Sequence, residues 1–273
     1  MASRPKDDWV LLGKGKSSHV FRIGGGQIIK VFHAAVSEEM IQREMAAATL
    51  AAAHDLPTAA PASRTAVDGL PALIYPEVTG TPLAATIRKY PYRASALLGE
   101  MAELLAAIHD RRVSGLRTVN SVIETDINYG PAPAALKQAA CAYLATLPLP
   151  DHLLHGDFHI DNIIIRDGRP VILDWAKAAI GHPAADMVRA EMLMRFGEGP
   201  ADPVTALWRD WAAGRLGRAY RQHSGLHREQ LSLWRPVVAL AWLRARPSVR
   251  DRAFHAYLNR ALAKAGLPRF VPV

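Results

Sequence analysis

Residues 152–175 read HLLHGDFHIDNIIIRDGRPVILDW. Leu153 and Leu154 run into a polar loop, Ile163 to Ile165 leave it, and Val171 to Leu173 return after Asp167-Gly168. The pattern is strand, loop, strand, tight turn, strand, because Asp-Gly between two apolar runs supplies the two positive-φ positions that a short hairpin turn needs. Asp157 and Asn162 then lie on the first loop and Asp174 at the end of the returning strand. Two carboxylates and a carboxamide are thus expected to converge at one end of a small sheet, flanked by His155 and His159. Hard oxygen ligands of this kind suit Mg²⁺, and one carboxylate is left over to accept a proton or orient a nucleophile.

Upstream, Trp9 to Leu12 form a first strand ending in Gly13-Lys14-Gly15-Lys16-Ser17-Ser18, Val20 to Ile23 its antiparallel partner, and Gln27 to Phe32 a third strand after the turn Gly24 to Gly26. Such a glycine-rich hairpin lets backbone N–H groups approach phosphates closely. It is not a Walker A loop, because the required earlier glycine is Val10, and it is not a Rossmann loop, because Ser18 stands where the third glycine belongs and a strand follows rather than a helix. Lys30 lies inside the apolar strand Ile28 to Phe32, a costly place for a cation without a partner or a phosphate. Ser37 caps the next helix with Glu38 and Glu39 in its first turn, and Met40, Ile41, Ala48 and Ala52 help to define its buried side.

Residues 54–71 read as a loop before a strand at Leu73 to Tyr75, and Pro76-Glu77-Val78-Thr79-Gly80-Thr81-Pro82 breaks both helix and strand. An amphipathic helix spans Ser95 to Asp110 and ends on His109, a structural histidine suited to the last turn. Residues 111–131 read as irregular, Pro133 to Leu147 as a further helix, and helices dominate after the central hairpin.

His155-Gly156-Asp157, Asn162 five residues later, Asp174-Trp175 after a hairpin, and then Gly181, Pro183 and Asp186 resemble the aminoglycoside phosphotransferase and choline kinase-like family, whose loop reads H-G-D-x-x-x-x-N. The resemblance covers roughly residues 10–190. It implies an α+β, two-lobed protein-kinase-like fold: a small antiparallel N-lobe sheet with one main helix at residues 1–76, a hinge at 77–82, and a mostly helical C-lobe at 83–273. It implies an enzyme that moves the γ-phosphate of ATP to a hydroxyl of a small molecule. Asp157 would be the catalytic base, and Asn162 and Asp174 the Mg²⁺ ligands. Gly13, Gly15 and Ser17 would form the phosphate flap, and Lys30 would reach the α/β-phosphates with Glu44 as its partner. Pro76 and Val78 would contact the nucleobase, with Tyr75 guarding the pocket behind. His155 is expected to brace the loop, Asp186 to brace the segment after Asp174, and the roles of His159 and Asp161 stay open. Gly156 replaces the arginine of protein kinases, and Asp186 follows Asp174 by only twelve positions, which favours a small acceptor over a peptide.

At 273 residues, half of them hydrophobic and a fifth charged, the chain can bury a large core. No run of about 18 uncharged apolar residues is present, so no membrane span is expected. The opening MASRPKDDW lacks the apolar core of a secretory signal, and the single cysteine, Cys141, favours a reducing cytoplasm. The net charge of +8 comes from residues 187–273, where fifteen Lys/Arg face six Asp/Glu at helical spacing. A solvated helix face or a patch for an anionic ligand explains that surplus, and no nucleic-acid partner is expected, since no binding module is recognisable. Scattered acids (Glu191, Glu198, Asp202, Asp210, Glu229, Asp251) favour a neutral or weakly charged hydroxyl acceptor. An aminoglycoside-modifying enzyme is the competing reading, and a non-catalytic nucleotide-binding scaffold is the alternative from another class. The oligomeric state is not legible.

Overall fold

The computed structural model describes residues 8–200, 202–245 and 250–272; most of the opening MASRPKDDW, where no secretory signal is expected, lies outside them. In chain order the elements are β1 (Val10–Lys14), β2 (Ser18–Gly24), β3 (Gln27–Phe32), α1 (Glu38–Ala53), β4 (Ser63–Val67), β5 (Leu70–Pro76), β6 (Thr81–Pro82) and α2 (Leu83–Lys89). There follow α3 (Ala94–His109), α4 (Val119–Tyr129), α5 (Ala134–Ala145), β7 (His152–Leu154), β8 (Ile163–Arg166), β9 (Arg169–Ile172) and β10 (Ala179–Gly181). The helices α6 (Pro183–Phe196), α7 (Pro203–Ser224), α8 (Arg228–Ala245) and α9 (Asp251–Lys264) complete the described chain. Two compact units result: residues up to Lys89 with Ile160–Lys177, and Tyr90–His159 with the residues from Ala178 onward.

The first unit is built on a five-stranded antiparallel sheet of order β1-β2-β3-β5-β4. Side chains alternate across a strand, so Ile29 and Val31 pack with Val67 and Ala72 on one face, while Phe32 and Leu73 meet Ile41 of α1 on the other. Lys30 shares the α1 face. Residues 54–71, expected as loop, contain β4 and the start of β5; the turn between them is Asp68-Gly69, with φ of 49° and 79°. This is the same chemistry as Asp167-Gly168 (φ 50° and 76°), which joins β8 to β9.

Ser37 caps α1, its Oγ accepting from Met40 N at 3.3 Å. The buried face of α1 is Ile41, Glu44, Ala47, Ala48 and Ala51, whereas Met40, expected on that face, is 47% exposed. The residues at 41, 44, 48 and 51 recur every three to four positions, and 40 lies a helical step off that stripe.

β7 was expected to share a sheet with the hairpin, but it pairs antiparallel with β10 in the second unit. β8 and β9 form a three-stranded sheet with β6 in the first unit. Gly80 makes β6 possible: at φ 152°, a Cβ there would lie 2.4 Å from the Ile165 carbonyl. Residues 111–131, expected as irregular, hold α4, capped by Thr118 Oγ1 accepting from Ser121 N at 3.2 Å. Only Ile123 and Ile127 are buried there, too few for a clear apolar period.

In the second unit α3 packs on α7, α6 on α7 and α8, and α4 on α8. Arg209 of α7 is 6% exposed and caps α6 by donating to the carbonyls of Met194 (2.8 Å), Leu193 (3.4 Å) and Gly197 (2.5 Å). A buried cation at a helix C-terminus satisfies carbonyls that the helix leaves open. No helix among the described residues is long and apolar enough to cross a membrane.

His182 caps the other end of α6: its Nδ1 accepts from Ala184 N at 3.1 Å, and its ring stacks on Trp234 at 5.6 Å. Burial, with smaller contributions from His152 and His109, holds the imidazole below its ordinary value of 6.5. A depressed value means stability that is present above pH 6.5 and lost as the pH falls through the folded-state value, where a proton on Nδ1 also removes the cap. Melting temperatures recorded from about pH 8 down to about pH 5 should therefore fall on the acid side. His182→Asn, which caps without titrating, should flatten that slope; an unchanged slope in the variant would show that the histidine is not its source.

Candidate active site

The first unit supplies a charged cluster around Lys30. Lys30 Nζ donates to Glu44 Oε1 at 2.6 Å and lies 3.5 Å from Asp174 Oδ1. Tyr75 of β5 donates its hydroxyl to the same Glu44 oxygen at 3.0 Å. Burial pushes the ammonium down, but Asp174 and Glu44 outweigh it and lift Lys30 above its ordinary value, so the cation persists at neutral pH. Burial also lifts the Glu44 carboxyl, against the pull of Lys30. The Tyr75 phenol is pushed far up, by burial and then by Glu44, and stays protonated as the donor.

Asp174 follows β9 in a left-handed conformation, φ 60°, which is unusual for a residue with a Cβ. Its Oδ1 accepts from Ala176 N at 3.3 Å, an Asx turn that holds the carboxylate toward Lys30. Trp175 is anchored by Thr58, which no motif singles out: Trp175 Nε1 donates to Thr58 Oγ1 at 2.9 Å, and Thr58 donates to Ile172 O at 2.8 Å. Pro57 O also accepts from Ile172 N at 2.7 Å, so the stretch before β4 is stitched to β9. Asn162 stands at the start of the same hairpin, and its carbonyl accepts from Leu173 N at 2.9 Å. Asn162 and Asp174 are hard oxygen donors in one unit, a set that fits Mg²⁺, which binds through one or two protein groups plus phosphates. No group of three or more His, Cys, Asp or Glu among the described residues is placed to hold a metal.

The glycine-rich turn closes through Gly15 N donating to Ser18 O at 2.8 Å, and His33 N donating to Ser17 O at 2.9 Å. A Cβ on Gly13 would meet nothing within 4 Å. Neither Gly13 nor Gly15 has a positive φ, so the backbone itself does not require glycine there. Pro76 ends β5 opposite Gln27, Glu77 N donates to Gly26 O at 2.7 Å, and Arg22 clasps the Glu77 carboxylate at 2.8 and 3.0 Å. Val78 follows, partly buried.

The second unit supplies the loop bearing Asp157, which is partly buried. Its geometry is imposed by Asp186 of α6. The fully buried Asp186 carboxylate accepts from His155 N at 2.7 Å and Gly156 N at 2.9 Å, two successive peptide groups. The brace therefore acts ahead of Asp157, whereas the sequence reading placed it after Asp174. The third donor is His109 Nε2 at 3.1 Å, and the His109 Nδ1 in turn lies 2.6 Å from the Tyr220 hydroxyl. A carboxylate can only accept, so the His109 Nε2 carries a proton toward Asp186. Burial raises the Asp186 carboxyl, but His109, His155 and the peptide donors more than reverse it and leave it below its ordinary value. The Gly156 carbonyl accepts from Arg189 Nε, and the φ of Gly156 is 77°, so glycine is required at this pinned peptide. Asp157 N donates to His155 Nδ1 at 3.2 Å, and the His155 ring meets Phe158 edge-on at 5.6 Å. His155 is thus a brace. His109, Tyr220 and Arg189 were missed as members of this site, because each acts across long sequence separations with no local motif.

Replacing Asp186 by Asn sets an amide N–H₂ against one of the peptide N–H donors inside the core. Unfolding by denaturant should show a loss of about 3 kcal/mol, the cost of unpairing buried charged hydrogen bonds. In the wild type, stability held above pH 3.8 should be lost as the pH falls through the depressed Asp186 value, and Asp186→Asn should lack that part of the acid limb. A variant within experimental error of wild type would show that the loop is held by other groups.

Among solved structures, amicoumacin kinase hAmiN, determined with AMP-PNP, Ca²⁺ and Ami, is similar with a TM-score of 0.62 and 15% identity, over 97% of this chain and 90% of that one. An aminoglycoside-3'-phosphotransferase of type VIII gives 0.61 and 16%, over 86% and 93%. A choline/ethanolamine kinase family protein from Mesorhizobium loti gives 0.57 and 19%, over 94% and 86%. These likenesses establish the two-lobed, α+β protein-kinase-like fold. No curated protein sequence matches the chain. A model of the phosphotransferase enzyme family matches residues 8–226, a span that takes in the Lys30 cluster and the Asp186-braced loop alike, and the chain belongs to that family.

Proposed function

We propose that this phosphotransferase moves the γ-phosphoryl group of ATP to a hydroxyl of a small, neutral or weakly charged molecule. The observation that carries the reading is the buried Lys30 ammonium, anchored by Glu44 at 2.6 Å and reaching toward Asp174 at 3.5 Å, an arrangement that keeps the lysine charged and fixes its direction. Lys30 binds phosphate oxygens, the open backbone at Gly13, Gly15 and Ser17 lies over them, and the segment at Pro76 and Val78 meets the nucleobase. Asn162 and Asp174 are the groups that would hold Mg²⁺, which when bound neutralises charge on the phosphates. The acceptor oxygen bonds to the γ-phosphorus as the bond to the bridging oxygen breaks, ADP leaves with that electron pair, and the hydroxyl proton passes to Asp157. Transfer of this kind is loose and needs positioning more than a strong base.

The acceptor reading rests on how the C-terminal acids are occupied. Glu191 is shared by Arg195 and Arg235, Asp210 by Arg195 and Arg250, and Asp202 caps α7. Carboxylates committed in this way do not form the cluster that a polycationic aminoglycoside requires.

ATP with Mg²⁺ should raise the melting temperature of the wild type, and Asp174→Ala should lose the metal-dependent part. Asp157→Asn should keep the nucleotide shift while transfer to the best acceptor of a sugar, amino-alcohol and aminoglycoside panel drops by about 10²–10⁴. Turnover confined to kanamycin-type acceptors would overturn the acceptor reading. Absence of any nucleotide or metal shift in the wild type would instead favour a scaffold.

A further inference from the structure

The corner between α7 and α8 carries charge that phosphoryl transfer does not use. α7 ends at Ser224, Gly225 turns the chain at φ 70°, and the 18-residue α8 begins at Arg228. Beside this turn lies a cavity of about 480 Å³, walled by Arg218 and Arg221 of α7 and Arg228 of α8, with His227, Gln222 and Glu229. Three guanidiniums therefore face a single carboxylate.

The protein does little to neutralise them. Arg221 Nη1 donates to Gly217 O at 3.0 Å. Among the described residues no carboxylate lies within salt-bridge distance of Arg218 or Arg228. Glu191 attracts Arg221, but its two oxygens are engaged by Arg195 and Arg235. Burial, followed by repulsion from Arg228 and smaller contributions from Arg235 and Arg218, holds the Arg221 guanidinium below its ordinary value. The positive end of α8 opens on the same corner and adds to this field.

We propose that this cavity binds a phosphate-bearing small anion, with the phosphoryl group seated among Arg218, Arg221 and Arg228. Guanidinium forks match the oxygens of a tetrahedral dianion in bidentate fashion, and the concavity has the size of a small-molecule site. A dianion relieves the repulsion that three like charges otherwise sustain around one turn. The site stands independently of which acceptor the enzyme phosphorylates.

The test is a titration of the full chain with inorganic phosphate and, separately, with glycerol 3-phosphate, at constant ionic strength adjusted with potassium chloride. Saturable binding by calorimetry and a rise in melting temperature are expected in the wild type. Each of Arg221→Gln and Arg228→Gln should weaken binding by about ten-fold or more, the loss expected for one charged hydrogen-bonding group. The exposed control Arg252→Gln should leave it unchanged. Tighter binding of the ester than of phosphate identifies an organic phosphate as the occupant, and equal affinity identifies the free ion. Circular dichroism of each variant checks folding, and Arg218→Gln, at an exposed position, serves if either of the others misfolds. A response that survives these substitutions, no response beyond that to chloride, or salt-sensitive retention on nucleic acid without small-anion binding would overturn the proposal.

Discussion

Asp186 is an anion enclosed by protein, and much of the second unit is arranged to keep it one. A buried carboxylate without partners would take up a proton or unfold the structure. Here three donors, the peptide N–H groups of His155 and Gly156 and the His109 imidazole, keep it ionised. Because two of those donors are consecutive peptide groups immediately before Asp157, the same electrostatic requirement that stabilises α6 also sets the backbone from which Asp157 projects. Tyr220 and Arg189 extend the constraint, one behind His109 and the other on the Gly156 carbonyl.

The first unit solves the opposite problem, a buried cation. Lys30 is forced toward α1 by strand alternation, since Ile29 and Val31 occupy the other face. Glu44 meets it from the buried stripe of α1, and Asp174 approaches through a strained left-handed residue after β9. Strain of that kind persists only where the surroundings over-determine it. Thr58, bonded to both Trp175 and Ile172, is part of what does so.

The legible parts of this protein were those governed by short-range chemistry. The β8–β9 hairpin followed from Asp167-Gly168, the α1 cap from Ser37, and β3 and α3 from period-two and helical patterns. The same short-range rules hold where the local pattern is fainter. Asp68-Gly69 carries the turn signal used at Asp167-Gly168, yet the Ala- and Pro-rich stretch around it obscured β4. Met40 looked like a core residue because it is apolar, but the stripe is phased on Glu44, which is buried because Lys30 pairs with it. α4 escaped notice because only Ile123 and Ile127 are covered.

The candidate groups, namely the loop from His155 to Asn162, Asp174, Lys30 and the glycine-rich turn, are readable from the chain alone because side-chain type and spacing are local properties. What holds them is set by packing. β7 joins β10 rather than the hairpin, Asp186 braces the loop before Asp157, Arg209 closes α6, and three arginines gather at one turn. Each of these depends on the desolvation of a charge or a peptide group by residues far away in sequence. Burial of that kind exists only after the chain has packed, so no local pattern records it.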